Sequence, residues 1–383
     1  MRKEFKIEVS ENRIFGLDLL RALAIIIVVL AHTGHFLPTK IRSVYDKIIF
    51  SGSVGVSIFF VLSGYLIGKI IIREFTQKEE EKINFNTLLY FWIRRWLRTL
   101  PNYYIILIIL TLFELYNNSN FTFRSIYRYY FFIQNFIHEI PRTFFVESWS
   151  ITIEEWFYFL IPLSIFFLIK WTNFNLKKII VLISFLTILI SFLIRLEKYY
   201  LIDPTINFHN LVIVRLDNIM IGLIGAYISY YHSSIWKRHT KLHFIIGLIF
   251  LIIHQYILNN LLLNPLYTNV LSYTMIAFSV LLLIPFVEEI KPRKNLIYKT
   301  ITRISIISYS IYLLNLSLIQ HYIIFQINWK EIMSNNTIIS IVNCLLYWAL
   351  ILTLSTITYN LIEVPFMKLR DSDKIKRFFP SKK

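Results

Sequence analysis

The sequence predicts an all-α, polytopic integral membrane protein with about ten transmembrane helices and with both termini in the cytoplasm. Of its 383 residues, 56% are hydrophobic and only 16% are charged, whereas about 25% of the residues in soluble domains are charged. Ten mostly apolar runs are long enough to cross the hydrocarbon core, which takes about 20 helical residues. This composition excludes soluble, disordered and collagen-like classes of protein.

The ten runs set the topology. They cover residues 14–36, 52–72, 88–115, 149–170, 176–195, 211–230, 242–261, 269–288, 302–325 and 337–362. Because ten is even, both termini lie on one side. With the termini inside, 29 of the 40 lysines and arginines fall in inner segments and nine, Arg195 among them, fall in outer loops. This bias follows the positive-inside rule and fixes the predicted orientation.

The net charge of +17 has a simple source in a membrane protein. Basic cytoplasmic loops lie against anionic lipid headgroups, so we expect the lipid bilayer and no nucleic acid as a partner. The single cysteine, Cys344, excludes a disulfide framework and any cysteine-based metal site. The histidines have no acidic residue at metal-ligand spacing, so we expect no metal.

The predicted organisation is one membrane domain with two short flanking segments. Residues 1–13 form a cytoplasmic segment, residues 14–365 the transmembrane domain, and residues 366–383 a basic cytoplasmic tail. The first run contains Asp18 and Arg21 and leads to no cleavage site, so we expect a permanent span rather than a signal peptide. The outer loop 116–148 is rich in aromatic residues, which is typical of an interfacial belt or of a lid over a sugar.

Ionisable residues inside spans indicate functional sites, because they are costly in lipid. Arg21 and His32 lie eleven residues apart, about three turns, so they share a helix face with a rise of about 16 Å between them. Glu154 and Glu155 begin the fourth span at a depth comparable to that of His32. A histidine beside a carboxylate is an acid–base pair. It is also found as a buried hydrogen-bonded tie between helices.

Two further patterns have both a functional and a structural interpretation. Arg95 and Arg98 share a face of the third span, with Arg94 beside them and Pro101 after them. An arginine fork suits phosphates, and basic residues at this interface also serve as topology anchors. The small residues of segment 52–65 permit close approach of another helix.

These residues resemble the acyltransferase-3 family of membrane O-acyltransferases, and the resemblance runs through the whole chain. It is carried in order by segment 16–24 with His32, segment 55–67, Arg95 with Arg98 and Pro101, segment 148–158, segment 215–217 with Gly222, segment 308–314, and Glu363 with Pro365. Segment 148–158 is the most specific, being similar to the family's Trp-Ser-Leu-x-x-Glu-x-x-Phe-Tyr, with Glu154 at the glutamate position. The chain departs from the family at Ser57, often acidic there, and at Asn315, often histidine.

The resemblance implies transfer of an acyl group, commonly acetyl, from cytoplasmic acyl-CoA to a hydroxyl of an envelope polysaccharide or lipid-linked glycan. It places the protein in a cytoplasmic membrane, most simply a bacterial one. Some family members carry an added esterase-like domain; the chain ends about 20 residues after the last span, so we expect the membrane domain to act alone. The implied co-substrate is acetyl-CoA, and no metal is implied.

The expected site follows from these roles. His32 would act as general base with Glu154 as its partner, and Arg21, Arg95 and Arg98 would hold the phosphates of the donor. We expect Glu155, Trp149, Tyr158, Arg215 and Asp217 to bind the substrate. Ser63, Tyr65 and Trp149 are candidate donors to the oxyanion.

Three alternatives remain open at this stage. Transfer through an acyl-enzyme would replace direct transfer to oxygen. A secondary transporter of a glycan or lipid-linked intermediate also fits ten spans with charges near the middle of the membrane. A polytopic glycosyltransferase fits less well, because large soluble outer loops are missing.

Overall fold

The computed structural model describes residues 13–78, 84–119, 121–136, 144–201, 208–260, 265–293, 295–373 and 375. All regular secondary structure in these ranges is helical, which confirms the all-α class. The predicted inner segment 1–13 lies outside them except for Arg13, and so does most of the tail after Asp373. His138 and Arg142 of the long outer loop also lie outside the described residues.

Ten helical stretches among the described residues are long and apolar enough to cross a membrane, which confirms the predicted number of spans. They are Phe15–Phe36, Thr39–Thr76, Phe85–Asn117, Ser148–Trp171, Leu176–Leu201, Val212–Tyr231, Thr240–Asn259, Tyr267–Glu288, Leu296–Ile324 and Asn336–Arg370. The placement of the termini in the cytoplasm stays a prediction.

The described residues form fifteen α-helices, with π-helical segments in three of the spans; α5, α9 and α13 lie between spans. The α-helices are α1 (Phe15–Thr33), α2 (Thr39–Ile48), α3 (Gly52–Lys78), α4 (Phe85–Asn117), α5 (Phe123–Tyr130), α6 (Ser148–Trp171), α7 (Leu176–Leu201), α8 (Val212–Tyr231), α9 (Ser233–Lys237), α10 (Thr240–Asn260), α11 (Ser272–Glu288), α12 (Leu296–Leu314), α13 (Trp329–Ile332), α14 (Asn336–Thr358) and α15 (Val364–Arg370). The π-helical segments are Tyr267–Leu271, Asn315–Ile324 and Tyr359–Glu363.

The centre of the bundle is a close contact between α3 and α8. A Cβ atom added to Gly64 would lie 1.9 Å from the Ile219 carbonyl oxygen, and one added to Gly222 would lie 2.2 Å from the Val61 carbonyl oxygen. The two backbones therefore touch where only glycine fits, as the small residues of segment 52–65 indicate. Gly55 permits a similar approach of α3 to α1, since its Cβ would lie 2.6 Å from the Ala24 carbonyl oxygen.

The expectation that Arg195 lies in an outer loop is wrong. Helix α7 continues to Leu201, and Arg195 is only 2% exposed inside the bundle. Its guanidinium forms a 2.9 Å ion pair with Asp217 and donates to the Val214 carbonyl oxygen at 2.7 Å. The apolar run ends at this arginine in the sequence, but a paired charge allows the helix to continue through it.

The ninth span changes its helical form along its length. It is α-helical to Leu314 and π-helical from Asn315 to Ile324. Residues 302–325 were predicted as one mostly apolar span, with no change of helical form. π-Helical segments are uncommon and occur often at functional sites. Here the segment carries three buried polar side chains at 0% exposure, Asn315, Ser317 and Gln320.

The aromatic outer loop is partly packed into the protein. Tyr129 is buried, and its carbonyl oxygen accepts a 2.8 Å hydrogen bond from the Tyr103 hydroxyl of α4. The indole of Trp156 donates to the Phe132 carbonyl oxygen at 2.7 Å. Phe131 is 66% exposed. The loop is thus anchored to α4 and α6 while several of its aromatic rings, Phe123 and Phe131 among them, are exposed.

Candidate active site

A cavity of about 530 Å³ lies between five helices of the bundle. Its wall is formed by α1 at Arg21, by α3 from Val56 to Arg73, by α4 from Arg95 to Thr99, by α6 from Ser150 to Tyr158 and by α12 from Ser308 to Tyr312. Five of the ten predicted site residues line it, namely Arg21, Arg95, Arg98, Glu154 and Tyr158. The cavity therefore brings together half of the residues that the sequence indicated.

The charge of the cavity wall is strongly positive. Arg21, Lys69, Arg73, Arg95 and Arg98 line it, and Glu154 is the only carboxylate among its lining residues. Lys69 is balanced by a 3.0 Å ion pair with Glu288. The buried Nε of Arg95 has no hydrogen-bond partner among the described residues. Such a wall favours a multiply charged anion with phosphate groups.

The neighbouring arginine of α4 points elsewhere. Arg94 does not line the cavity. It donates to the Tyr90 hydroxyl at 2.9 Å and lies 3.5 Å from the Asp371 carboxylate. Adjacent helical residues diverge by about 100°, so Arg95 and Arg98 face the cavity while Arg94 faces the end of the chain. Arg94 therefore behaves as the topology anchor of the three.

The two adjacent glutamates also diverge. Glu154 lines the cavity and accepts a 3.2 Å hydrogen bond from the Tyr158 hydroxyl, which lies 2.8 Å from Ser63 Oγ. Glu155 lies behind the wall, where one of its oxygens accepts a 2.7 Å hydrogen bond from Thr99. The other oxygen of Glu155 is buried without a partner among the described residues. Glu154 is thus the glutamate that a molecule in the cavity would meet.

His32 lies outside the cavity wall, and its hydrogen-bond partner is an amide rather than a carboxylate. Its Nδ1 lies 2.5 Å from the Asn315 side-chain oxygen. Among the described residues no hydrogen bond joins His32 to Glu154, whose oxygens face Tyr158 and the cavity. The predicted contact between the two is therefore not formed: His32 pairs with Asn315 of the ninth span, and Glu154 pairs with Tyr158 of its own helix.

Tyr312 connects the cavity with His32. It lines the cavity, and its carbonyl oxygen accepts a 2.6 Å hydrogen bond from the Asn315 amide nitrogen. Its hydroxyl accepts a 2.7 Å hydrogen bond from Ser150, and its ring packs against Phe59. The His32–Asn315 pair is thus joined by one hydrogen bond to a residue of the cavity wall.

The remaining predicted substrate residues lie deeper in the protein. Arg215 and Asp217 are fully buried and do not line the cavity. Arg215 donates to Ser57 Oγ at 2.9 Å and lies 4.4 Å from the centre of the Tyr273 ring. The Trp149 ring lies 5.8 Å from the same guanidinium. These contacts tie α3, α6, α8 and α11 together behind the cavity.

The three candidate donors to the oxyanion also differ in whether they line the cavity. Ser63 lines the cavity. Tyr65 lies outside it and donates to Ser229 at 3.1 Å. Trp149 packs edge-on against Phe60 and is absent from the wall. Of the three, only Ser63 is a lining residue of the cavity.

Comparison with known proteins gives the family. A family model described as an acyltransferase domain matches residues 14–360, which is most of the chain. The chain belongs to the acyltransferase-3 family. It is a multi-pass membrane protein, and it carries the family's acyltransferase domain.

The curated relatives of this family member are O-acetyltransferases. The peptidoglycan O-acetyltransferase OatA of Listeria monocytogenes is 28% identical over 178 residues, which is 43% of this chain and 26% of the relative. The O-acetyltransferase OatA of Staphylococcus aureus is 29% identical over 225 residues, which is 56% of this chain and 34% of the relative. The matched regions thus span about a quarter to a third of these relatives. No solved structure matches the chain.

Several residues of this acyltransferase-3 site were not predicted from the sequence. Lys69 and Arg73 line the cavity but stand in an inner segment where they were counted only as topology anchors. Glu147 lies just before α6, is 3% exposed, and accepts hydrogen bonds from the Ser317 backbone and hydroxyl. Asn315 was noted only as a departure from the family. A buried amide among apolar residues is the signal that would have found it.

Proposed function

We propose that the protein is a membrane-embedded O-acyltransferase that moves an acyl group, acetyl in the first instance, from cytoplasmic acyl-CoA to a hydroxyl outside. The acceptor is an extracytoplasmic or envelope polysaccharide, or its lipid-linked precursor. The observation that carries the proposal is the cavity whose wall has five cationic residues and one carboxylate. Membership of the acyltransferase-3 family supports the chemistry, and the O-acetyltransferase names of the relatives support acetyl as the group.

The donor is held by the basic part of the cavity. Coenzyme A combines anionic phosphates with a long, weakly polar pantetheine arm that ends in the thioester. Arg21, Arg95 and Arg98 hold the phosphates through charge-assisted hydrogen bonds. The arm lies along the apolar wall of α3, which includes Phe59 and Phe60. This arrangement directs the thioester toward Tyr312 and away from the arginines.

The acceptor is activated at the other end of the arm. His32 takes the proton of the acceptor hydroxyl as general base. Glu154 stays its proposed carboxylate partner, and it acts through its negative charge from the cavity side rather than through a hydrogen bond to the ring. Tyr158 contacts the donor. The site is supported from behind the wall by Glu155, Trp149, Arg215 and Asp217. The ring of Trp149 also contacts the ring of His209.

Secondary transport of a glycan is the competing function. The cavity suits an anion with an apolar arm better than it suits a neutral sugar, because cations dominate its polar lining. The family match favours acyl transfer as well. A transporter would leave the acetyl-CoA thioester intact.

The deciding experiment uses the full chain in detergent or nanodiscs with acetyl-CoA labelled in the acetyl group. We expect exchange or hydrolysis of the label, and transfer when an envelope glycan is added. The His32→Ala variant should lose transfer, while His254→Ala, a buried histidine that pairs with Tyr267, serves as a matched control. Wild-type protein that leaves labelled acetyl-CoA intact would refute the proposed function, and a His32→Ala variant with full transfer would refute His32 as the general base.

A further inference from the structure

The hydrogen bonds of Asn315 determine which nitrogen of His32 carries a proton. Asn315 is 0% exposed, so both ends of its amide must be satisfied inside the protein. Its nitrogen lies 2.6 Å from the Tyr312 carbonyl oxygen, which can only accept. Turning the amide over would bring two oxygens together. The amide orientation is therefore fixed, and its oxygen must face His32.

The His32 tautomer follows from that orientation. The Asn315 oxygen accepts from Nδ1 at 2.5 Å, so Nδ1 must carry a hydrogen. In the neutral ring the other nitrogen, Nε2, then has the free electron pair. Among the described residues no side chain occupies Nε2 with a hydrogen bond. The nitrogen that is left open is the one able to accept a proton.

We propose that Asn315 is the positioning residue of the catalytic base, holding His32 in the tautomer whose Nε2 accepts the proton of the acceptor hydroxyl. This inference rests on the proposed function for the role of His32. As the acceptor oxygen bonds to the acyl carbon, its proton moves to Nε2 and the carbon–sulfur bond breaks. The electron pair of that bond leaves on the sulfur, and the proton on His32 then passes to this thiolate to give the coenzyme A thiol.

An amide in this position has a different consequence from a carboxylate. It fixes the ring without adding a negative charge beside it, so the only charged groups near the ring are other titratable side chains. Within the described residues these are His35 on the same span and His321 on the π-helical segment. His35 is itself held by an amide, since Gln320 Nε2 lies 2.8 Å from its Nδ1.

The first test measures the tautomer directly in the full-length protein. Nitrogen-15 NMR of histidine-labelled protein at alkaline pH distinguishes a ring protonated at Nδ1 from one protonated at Nε2, and the His32→Gln variant identifies the signal. We expect Nδ1–H in the wild type. A ring protonated at Nε2 would overturn the inference even if the enzyme transfers acetyl groups.

The second test uses two substitutions of similar size and a control. Asn315→Leu should lower kcat by roughly 10²-fold, the lower range for loss of acid–base catalysis, with the KM for acetyl-CoA unchanged. Asn315→Asp keeps an acceptor for Nδ1–H but loses the donor to the Tyr312 carbonyl oxygen, so it should recover part of kcat and move the acidic limb of the pH–rate profile to higher pH. Asn343→Leu removes another buried amide of a span, and it should leave kcat and the pH–rate profile unchanged.

The outcomes separate this inference from the proposed function. An Asn315→Leu variant with wild-type kcat refutes the positioning role while leaving the acyltransferase intact. An Asn315→Asp variant that is as impaired as Asn315→Leu, with an unshifted pH profile, also refutes it, because a merely structural role predicts that result. If Asn315→Leu does not fold, the NMR measurement on the wild type decides. Wild-type protein that leaves labelled acetyl-CoA intact refutes the proposed function itself, and full activity of the His32→Gln variant refutes the role of His32 on which this inference rests.

Discussion

The Tyr158 hydroxyl donates to the Glu154 carboxylate at 3.2 Å, one helical turn away on the same face of α6. The pair lies in the cavity wall, and Ser63 of α3 lies 2.8 Å from the same hydroxyl. The hydrogen bonds join two helices at the point where the basic and apolar parts of the cavity meet. The neighbouring Glu155 has no part in this arrangement, and the two glutamates can therefore be tested against each other.

Replacing Glu154 by Gln should lower acetyl transfer far more than replacing Glu155 by Gln. The first change removes the only carboxylate of the cavity wall and keeps its size. We expect a loss of about 10²-fold or more, as for other acid–base groups. Glu155→Gln keeps an acceptor for Thr99 and should have a mild effect. The measurement is transfer from acetyl-CoA at equal amounts of membrane protein, and a larger loss at Glu155 would reverse the assignment.

Replacing Arg98 by Ala should weaken binding of acetyl-CoA. A charge-assisted hydrogen bond contributes about 1.5–3 kcal/mol, so the KM should rise by roughly tenfold or more while kcat changes little. Arg94→Ala is the matched control, since Arg94 lies nearby on α4 and outside the cavity wall. Steady-state kinetics with varied acetyl-CoA measures both constants. Equal effects of the two substitutions would show that charge at this end of the bundle matters, and not the cavity.

Replacing Ser57 by Ala should destabilise the protein. Ser57 Oγ accepts from Arg215 at 2.9 Å and from Asn218 at 3.1 Å, and all three side chains are fully buried. Loss of the shared acceptor leaves two buried donors unsatisfied, at a cost of about 1–3 kcal/mol. Thermal unfolding in detergent measures the effect. An unchanged melting temperature would contradict the importance of this contact.

Replacing Ser57 by Asp, which restores the acidic residue that the family often has there, should make the protein more stable than Ser57→Ala does. Ser57→Asp places a carboxylate beside Arg215, whose Nε and one Nη are buried without partners among the described residues. The local charge of Arg195, Arg215 and Asp217 would then be balanced. We expect the melting temperature of Ser57→Asp to exceed that of Ser57→Ala, and the reverse order would contradict the argument.

Replacing Gly64 by Ala should force α3 and α8 apart. The added Cβ would lie 1.9 Å from a backbone oxygen of α8, which cannot move aside as a side chain does. We expect a loss of stability of about 1–3 kcal/mol or more. Gly52→Ala is the control, because its Cβ would meet only Ala31 at an ordinary 3.6 Å. Folded fraction after mild heating, read by size-exclusion chromatography, measures the difference.

The sequence was informative about the number of spans and about which arginines share a face that lines the cavity. Hydrophobic length alone predicts ten helices, because lipid requires each span to satisfy its own backbone hydrogen bonds. Helical geometry predicts that Arg95 and Arg98 share a face, and both line the cavity. Spacing along one helix is a local property, and it survives folding.

The partner of His32 could not be predicted in the same way. Depth in the membrane brings Glu154 and His32 to similar levels, but depth does not set the rotation of α6 relative to α1. That rotation depends on packing against α3 and α12, which a single sequence does not show. The predicted position of Arg195 was wrong for a related reason, because its counter-charge Asp217 lies on another span.

The π-helical segment gives the ninth span two sections that can change separately. The i→i+5 bonding of such a segment brings residues five apart to nearly the same side, which is how Asn315 reaches His32 while Gln320 reaches His35. If the same residues were wound as an α-helix, Gln320 would lie about 140° around the helix axis from Asn315 and would turn away from His35. The section before it, from Ser308 to Tyr312, would keep its place in the cavity. The helical form of the section that holds the two histidines can thus change while the section that lines the cavity stays in place.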